Sequence, residues 1–263
     1  MAQPYLSLEA EWHDLFWAAE DAGSELMLMA DFLRIHPGRA LEIGCGSGRL
    51  LLPLRQQGFS IEGLELSADM RRLAEDRANE MKLTTTIHSG DMERWQPAAP
   101  YDALLVPAFS LQLAADPAAT LRHWHQHLLR PGGGLYLTLF VPFGEILGEL
   151  PEGRWYADHS ATLADGRIAQ IETRHHLDRS RQRLTREHHY RIRGNPEVLH
   201  ACRQELCWFE HAQAVELLDS CGFTLKRHLL DFDPRHTHPD PGPDDFGGII
   251  TYRARARVNA KGH

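Results

Sequence analysis

Apolar residues recur along this chain with two different periods, and the changes of period mark out the predicted elements. Between residues 5 and 34, Leu15, Phe16, Ala19, Leu26, Met29, Ala30 and Leu33 keep helical spacing. Pro37-Gly38 then breaks the helix. Residues 40–43 read as a short buried strand, and residues 50–57 as a helix for which Gly58 is a suitable C′ residue. A second strand, residues 59–64, closes at Glu65. Ser67 suits the N-cap of a helix carrying Met70, Leu73, Ala74 and Met81 on one face. Residues 84–89 are β-rich. Residues 101–107 are almost continuously apolar, as in a strand buried on both faces. Leu121, Trp124 and Leu128 form the stripe of a helix over residues 117–129, which the run Pro131-Gly132-Gly133-Gly134 ends. A fifth strand is expected over residues 135–141.

Strands alternating with helices imply parallel βαβ units and an α/β fold. The pattern changes near residue 155. From there to residue 209, short alternating segments are separated by turn signals such as Asp165-Gly166, which predicts an antiparallel β insert. Residues 210–220 return to helix, closed by Gly222. Strands over residues 223–230 and 247–254 follow. The resulting division is an N-terminal helical cap (1–35), a main domain (36–254) containing the insert (145–209), and a tail (255–263). The cap helices have two readings at this level: packing on the core, or a first helix that forms part of a lid.

A chain of 263 residues fits one large domain with a substantial insert. Its formal net charge of −8 argues against a nucleic-acid partner, which calls for a basic footprint. Arg174, Arg179, Arg181, Arg183, Arg186, Arg191 and Arg193 crowd one segment, but acids are interleaved, as on a solvated strand face. The four cysteines include no C-x-x-C pair, and neither a leader pattern nor an apolar stretch of membrane-span length is present. The expectation is a reduced, cytoplasmic protein without a membrane partner. Seventeen histidines are unusual. His123 and His127 stand at i, i+4 and are read as a solvated face, while the adjacent pairs His175-His176 and His188-His189 point to opposite strand faces and make no chelate.

The chemistry concentrates at Gly44, Gly46 and Gly48, directly after the first strand. Glycines at alternate positions let a ligand lie against the main chain. The helix behind supplies unpaired N–H groups and a positive dipole end. The dinucleotide fingerprint would place a third glycine where Arg49 stands, and the lysine of a phosphate-binding loop is absent. Glu42 lies inside the strand, where a carboxylate suits a ligand's ammonium better than a pyrophosphate. Glu65, about 20 residues further on, can accept from both hydroxyls of a ribose. Asp91 can accept from an adenine amine, with Leu66 and Met92 as apolar walls.

The segments L-E-I-G-C-G-S-G-R, I-E-G-L-E-L-S-A-D-M, S-G-D-M, Y-D-A-L-L-V-P-A-F-S and L-L-R-P-G-G-G-L-Y-L together resemble the successive motifs of class I S-adenosylmethionine (SAM)-dependent methyltransferases. The resemblance implies a Rossmann-like, seven-stranded, mostly parallel sheet whose last strand is antiparallel. It implies SAM as cofactor and S-adenosylhomocysteine as product. Glu42 and the turn Gly44–Gly48, with Cys45 and Gly46 in it, would hold the methionine portion, Glu65 the ribose, and Arg49 is counted as a further cofactor-binding residue. Asp91 with Met92 would take the adenine, Leu66 and Met70 are counted as further cofactor-binding residues, and Pro107 would line the sulfonium end. The insert further resembles a small-molecule branch that includes amino-sugar N-methyltransferases.

Val106-Pro107-Ala108-Phe109 lacks the polar first residue of the N/D-P-P-Y/F motif found in enzymes that methylate base amines or glutamine. It also lacks the acid that metal-dependent catechol-type enzymes place there, so no catalytic metal is expected. The favoured activity is methyl transfer to nitrogen or oxygen of a small molecule. A SAM-using enzyme of other chemistry and a non-catalytic SAM-binding protein remain as alternatives. A homodimer is open. No catalytic residue is assigned: Tyr156, His159, His188, Tyr190 and Arg203 fall in the insert expected to cover the acceptor site.

Overall fold

The computed structural model describes residues 5–17 and 22–258. Ala19 of the cap, and residues 259–263 of the expected tail, lie outside them. Two helices, α1 (Leu8–Trp17) and α2 (Ala22–Ile35), precede the first strand, β1 (Ala40–Ile43). The alternating part continues with α3 (Leu51–Gln56), β2 (Ile61–Glu65), α4 (Ala68–Glu80), β3 (Ile87–Ser89), β4 (Tyr101–Val106), α5 (Pro117–His123) and β5 (Leu129–Phe140). After the short α6 (Phe143–Ile146) come β6 (Tyr156–Thr162), β7 (Ile168–Asp178), β8 (Arg183–Ile192) and β9 (His200–Cys207). The chain then returns through α7 (His211–Ser220), β10 (Phe223–Leu230) and β11 (Ile249–Ala256).

The main sheet runs β10-β11-β5-β4-β1-β2-β3. β1 to β5 are parallel, and β11 lies antiparallel between β5 and β10. This is the seven-stranded arrangement anticipated. The four insert strands form a separate antiparallel sheet in the order β6-β7-β8-β9. The main sheet is buried on both faces. Leu104 and Val106 of β4 join a core that includes Trp124 and Leu128 and reaches Leu218 of α7. Ala103 and Leu105, on the opposite face, pack with Met29 and Phe32 of α2 and Leu51 of α3. Thus α2 packs on the core. By contrast, α1 lays Trp12 and Phe16 against Tyr190 and Ile171 of the insert.

Local signals explain several boundaries. Gly58, at φ +90°, ends α3: its N–H donates to the Arg55 carbonyl and that of Phe59 to Leu54, a Schellman closure. Ser67 caps α4 by accepting from the Met70 N–H at 3.1 Å. At α7, the Gln213 side chain accepts from the Glu210 N–H at 2.9 Å.

Four expectations needed correction. The strand foreseen over residues 84–89 shortens to Ile87–Ser89, because β3 is an edge strand paired only along Gly63, Leu64 and Glu65 of β2. The helix over residues 117–129 stays α-helical only to His123 and finishes as a π-helical turn, Trp124–Leu128. The proline-glycine run is not a break before β5 but part of it, absorbed by a register irregularity opposite Tyr101 and Ala103. A Cβ on Gly134 would come within 2.7 Å of the His36 ring, so glycine lets the strand pass beneath α2. β11 also runs to Ala256, two residues past its expected end.

Candidate active site

Glu42, Gly44, Glu65, Asp91 and Pro107, from the carboxyl ends of β1, β2, β3 and β4, converge on one crevice. This is the position where open α/β sheets bind ligands. Cys45, Gly46, Arg49, Leu66, Met70 and Met92 line the same crevice. Gly48 alone of the expected residues does not. It sits behind the turn at φ +80°, where a Cβ would meet Leu52 at 3.0 Å and Ala74 at 3.4 Å, so its role is to let the turn close on α3 and α4.

Gly44 and Gly46 are glycines for different reasons. A Cβ on Gly44 would stand 2.5 Å from Ser110 Oγ, so the turn can approach the end of β4 only without one. A Cβ on Gly46 (φ +53°) would meet nothing within 4 Å: it would project into open space in a crevice-lining turn. Glu65 is held beside this space. One carboxylate oxygen accepts from the Gly46 N–H at 2.9 Å and the other from the Ser67 N–H at 2.8 Å. Each oxygen keeps a further lone pair.

Glu42 lies at the bottom, 2% exposed, and its Oε2 has no hydrogen-bond partner. Burial pushes its carboxyl well above the ordinary range; Glu25 and Glu65 add to this, and Arg49 only partly opposes it. A cation arriving beside Glu42 would remove that penalty. Burial likewise raises the Cys45 thiol, with Glu42 and Glu65 adding to it, so Cys45 is a packing residue and not a nucleophile. Asp91 accepts from the Glu93 N–H at 3.0 Å and from Arg94 at 3.2 Å. Ala108 (φ +51°) and Phe109 (φ +62°) follow Pro107 in the left-handed region, an uncommon conformation for non-glycine residues in succession. The Ser110 hydroxyl steadies this corner by donating to the Pro107 carbonyl at 3.0 Å.

The sequence left open whether α1 covers the crevice. In the structure Tyr5, just before the helix, and His13, within it, line the crevice, their rings edge-to-face at 5.4 Å. α1 is attached to the glycine turn through Asp14, which accepts from Ser47 Oγ at 2.7 Å, from Arg77 at 2.7 Å and from His13 Nδ1 at 3.0 Å. Burial alone would raise the Asp14 carboxyl, but these hydrogen bonds outweigh it and hold the group well below the usual range. The Ser7 N–H donates to Asp69 at 2.8 Å, and Ser67 Oγ donates to the Tyr5 carbonyl, so the segment before α1 is fastened to the start of α4. Tyr5, His13 and Ser110 were missed. What brings them to the crevice lies far along the chain, Ser67 for the segment before α1, Ser47 for Asp14 beside His13 and Gly44 for Ser110, and no local spacing announces them. Ser47, inside the glycine turn, was legible there.

The insert residues singled out from sequence do not line the crevice. His188 is buried against the Thr173 hydroxyl at 2.8 Å, and Thr173 in turn donates to Asp158 at 2.6 Å. Burial and nearby Arg186 push His188 down to about 4, so it is neutral at physiological pH. Tyr190 packs on Trp12 and Phe16, Arg203 pairs with Glu205 at 2.6 Å, His159 lies 3.5 Å from Asp158, and Tyr156 stands edge-on to His175. The arginine cluster is interleaved with acids as expected: Arg174 pairs with Glu187, Arg191 with Glu172 and Arg186 with buried Glu145. Among the described residues, no helix is long and apolar enough to cross a membrane.

Comparison with known proteins agrees with this geometry. Residues 40–133 match a family model described as a methyltransferase domain. A protein-L-isoaspartate O-methyltransferase of Methylorubrum extorquens (strain PA1) is 31% identical over 122 residues, 46% of this chain and 50% of that protein. The chain thus spans about half the length of the first curated relatives it matches. Among solved structures, a SAM-dependent methyltransferase from Clostridium acetobutylicum ATCC 824 superposes with a TM-score of 0.74 at 12% identity, covering 94% of this chain and 97% of that one. SAM-bound CalS10, an amino pentose methyltransferase from Micromonospora echinaspora, gives 0.65 at 19% identity, covering 97% and 99%. Residues 40–133 thus match a methyltransferase domain, and the strand order, with its crevice at the strand ends, is that of the Rossmann-like methyltransferase fold.

Proposed function

We propose that the chain binds SAM in this crevice and transfers its methyl group to a nitrogen or oxygen of a small-molecule acceptor. The observation that carries the reading is the open space over Gly46 beside a carboxylate fixed by two main-chain N–H groups. Glu65 has the lone pairs to accept both ribose hydroxyls. Glu42, buried with an unpartnered oxygen, suits the ammonium of the methionine portion. Asp91 can accept from the adenine amine, between the apolar walls of Leu66 and Met92. Pro107 and Ala108 then line the sulfonium end.

When bound, SAM supplies an activated methyl and its own leaving group. What remains for the chain is placement: holding an acceptor atom ~3–3.5 Å from the methyl can contribute up to about 7–11 kcal/mol. Tyr5 and His13 cover the crevice and help to exclude water. His13, held through Nδ1 by Asp14, is the crevice imidazole suited to taking a proton from an acceptor hydroxyl or ammonium.

A small acceptor is favoured because the likeness to the amino pentose enzyme runs through 97% of this chain, insert included. The likeness to the isoaspartate enzyme, which would favour a protein acceptor, covers 46%. The test is incubation of the chain with SAM and separate panels of amino-sugar nucleotides, hydroxylated metabolites and an isoaspartyl peptide. S-adenosylhomocysteine with a methylated small molecule is the expected result. Turnover confined to the peptide overturns the acceptor class. Methylthioadenosine without acceptor, or binding without turnover, overturns methyl transfer itself.

A further inference from the structure

Outside the crevice, Glu9 of α1 and His200 and Cys202 of β9 bring three metal-ligating groups together. One ligand atom from each lies within 4.8 Å of the other two. His200 and Cys202 are two apart on a strand and so share a face. Cys202 Sγ donates to Glu9 Oε1 at 3.2 Å, and Gln204 reaches the same oxygen at 3.2 Å. Glu9 is 5% exposed, while His200 Nε2 is buried with no hydrogen-bond partner. None of the three lines the cofactor crevice. They border a second groove, together with Leu6, Trp155 and Arg203.

We propose that Glu9, His200 and Cys202 form a site for a zinc-class divalent ion that clasps the N-terminal helix to the insert. The donor set of thiol, imidazole and carboxylate is one zinc accepts, whereas magnesium and calcium call for oxygen donors throughout. Bonds of ~2.0–2.3 Å in a tetrahedron set ligand atoms about 3.3–3.7 Å apart. The sulfur–carboxylate pair already has nearly that spacing, and the imidazole has to draw in by at most about 1.5 Å, a side-chain adjustment. On binding, the Cys202 S–H bond breaks, a sulfur–metal bond forms, and the proton leaves to solvent. The groove gives the ion a way in and leaves its fourth position to water. The ion has no part in methyl transfer. Its effect is mechanical, because α1 is attached to the cofactor turn through Asp14 at its other end. Ligands at positions 9, 200 and 202 make no local spacing motif, which is why the sequence carries no sign of them.

The test is titration of the chelator-treated full chain with Co²⁺, followed by displacement with Zn²⁺. One equivalent of Co²⁺ is expected to give a thiolate-to-cobalt charge-transfer band, lost in Cys202→Ser. His200→Gln and Glu9→Gln should weaken binding about tenfold or more. Zinc should raise the melting temperature of the wild type and not of Cys202→Ser, with circular dichroism checking that each variant folds. The chain has many other histidines, so ion binding without a thiolate band overturns the proposal. So does a band that survives in Cys202→Ser, or the absence of binding at micromolar ion.

Discussion

The crevice at the strand ends and the insert sheet are built from different materials. In the crevice the groups that would meet a ligand are main-chain N–H groups, missing Cβ atoms and short acids fixed at the ends of β1, β2 and β3. In the insert the polar groups are long side chains that largely satisfy each other, as in Arg174–Glu187, Arg191–Glu172 and the Asp158–Thr173–His188 chain. Main-chain sites leave little freedom in residue type, because each glycine is required by a φ value or a close approach. Side-chain networks can be rewritten wherever donor and acceptor change together.

Gly46→Val should have the largest effect. It fills the open space over the turn and should weaken SAM binding by at least about 100-fold, roughly 2.8 kcal/mol, in calorimetry. Near-normal binding by a folded variant would remove the crevice from consideration. Glu65→Ala comes next. It strands the Gly46 and Ser67 N–H groups and removes the ribose acceptor, which should cost about 1–3 kcal/mol in stability and about tenfold or more in affinity.

Glu42→Gln sharpens the electrostatic side of the comparison. In the empty crevice Glu42 keeps its proton above the ordinary carboxylate range, and pairing with an ammonium requires losing it. SAM binding should therefore release a proton and strengthen as pH rises, until the raised Glu42 value is passed. Calorimetry in buffers of different ionisation enthalpy measures that proton directly, and Glu42→Gln should abolish the release. An unchanged release would assign the proton to another group.

Asp14→Ala loosens the attachment of α1 to the glycine turn. A loss of about 1 kcal/mol in thermal unfolding is expected, with a smaller loss of SAM affinity. Arg174→Ala, in the half-buried pair with Glu187 beside Trp155, should change stability by less than about 1 kcal/mol and leave SAM binding untouched. A large effect there would contradict the view that this network serves only itself.

The two regions also differed in how much of them could be read from the chain. The βαβ half was legible because its signals are local: Gly58 ends α3, Ser67 caps α4, and the apolar run of β4 admits only a doubly buried strand. The crevice acids were legible for a related reason, since each stands at a strand end. Tyr5, His13 and Asp14 were not, because their meaning lies in contacts formed only after folding: Asp14 meets Ser47, 33 residues away, and Arg77, 63 away. The glycine run before residue 135 misled for the same reason, since what forbids a side chain on Gly134 is His36, a ring from another element. The insert was legible as antiparallel sheet from its alternation, but the tying of its last strand to the main sheet was not. That tie is the Gln112 carboxamide, which donates to the carbonyls of Phe140 and Cys207.

The strand order has a consequence for how the molecule assembles. β10 pairs into the main sheet only through β11, which is made after every other element described. During synthesis the outer edge of β5 therefore stays unpaired until residues 249–256 emerge, although the crevice is already encoded more than a hundred residues earlier. Such an edge is a template for wrong pairing between nascent chains. Premature termination just before β11 would release a chain that holds its cofactor motifs complete and its sheet open.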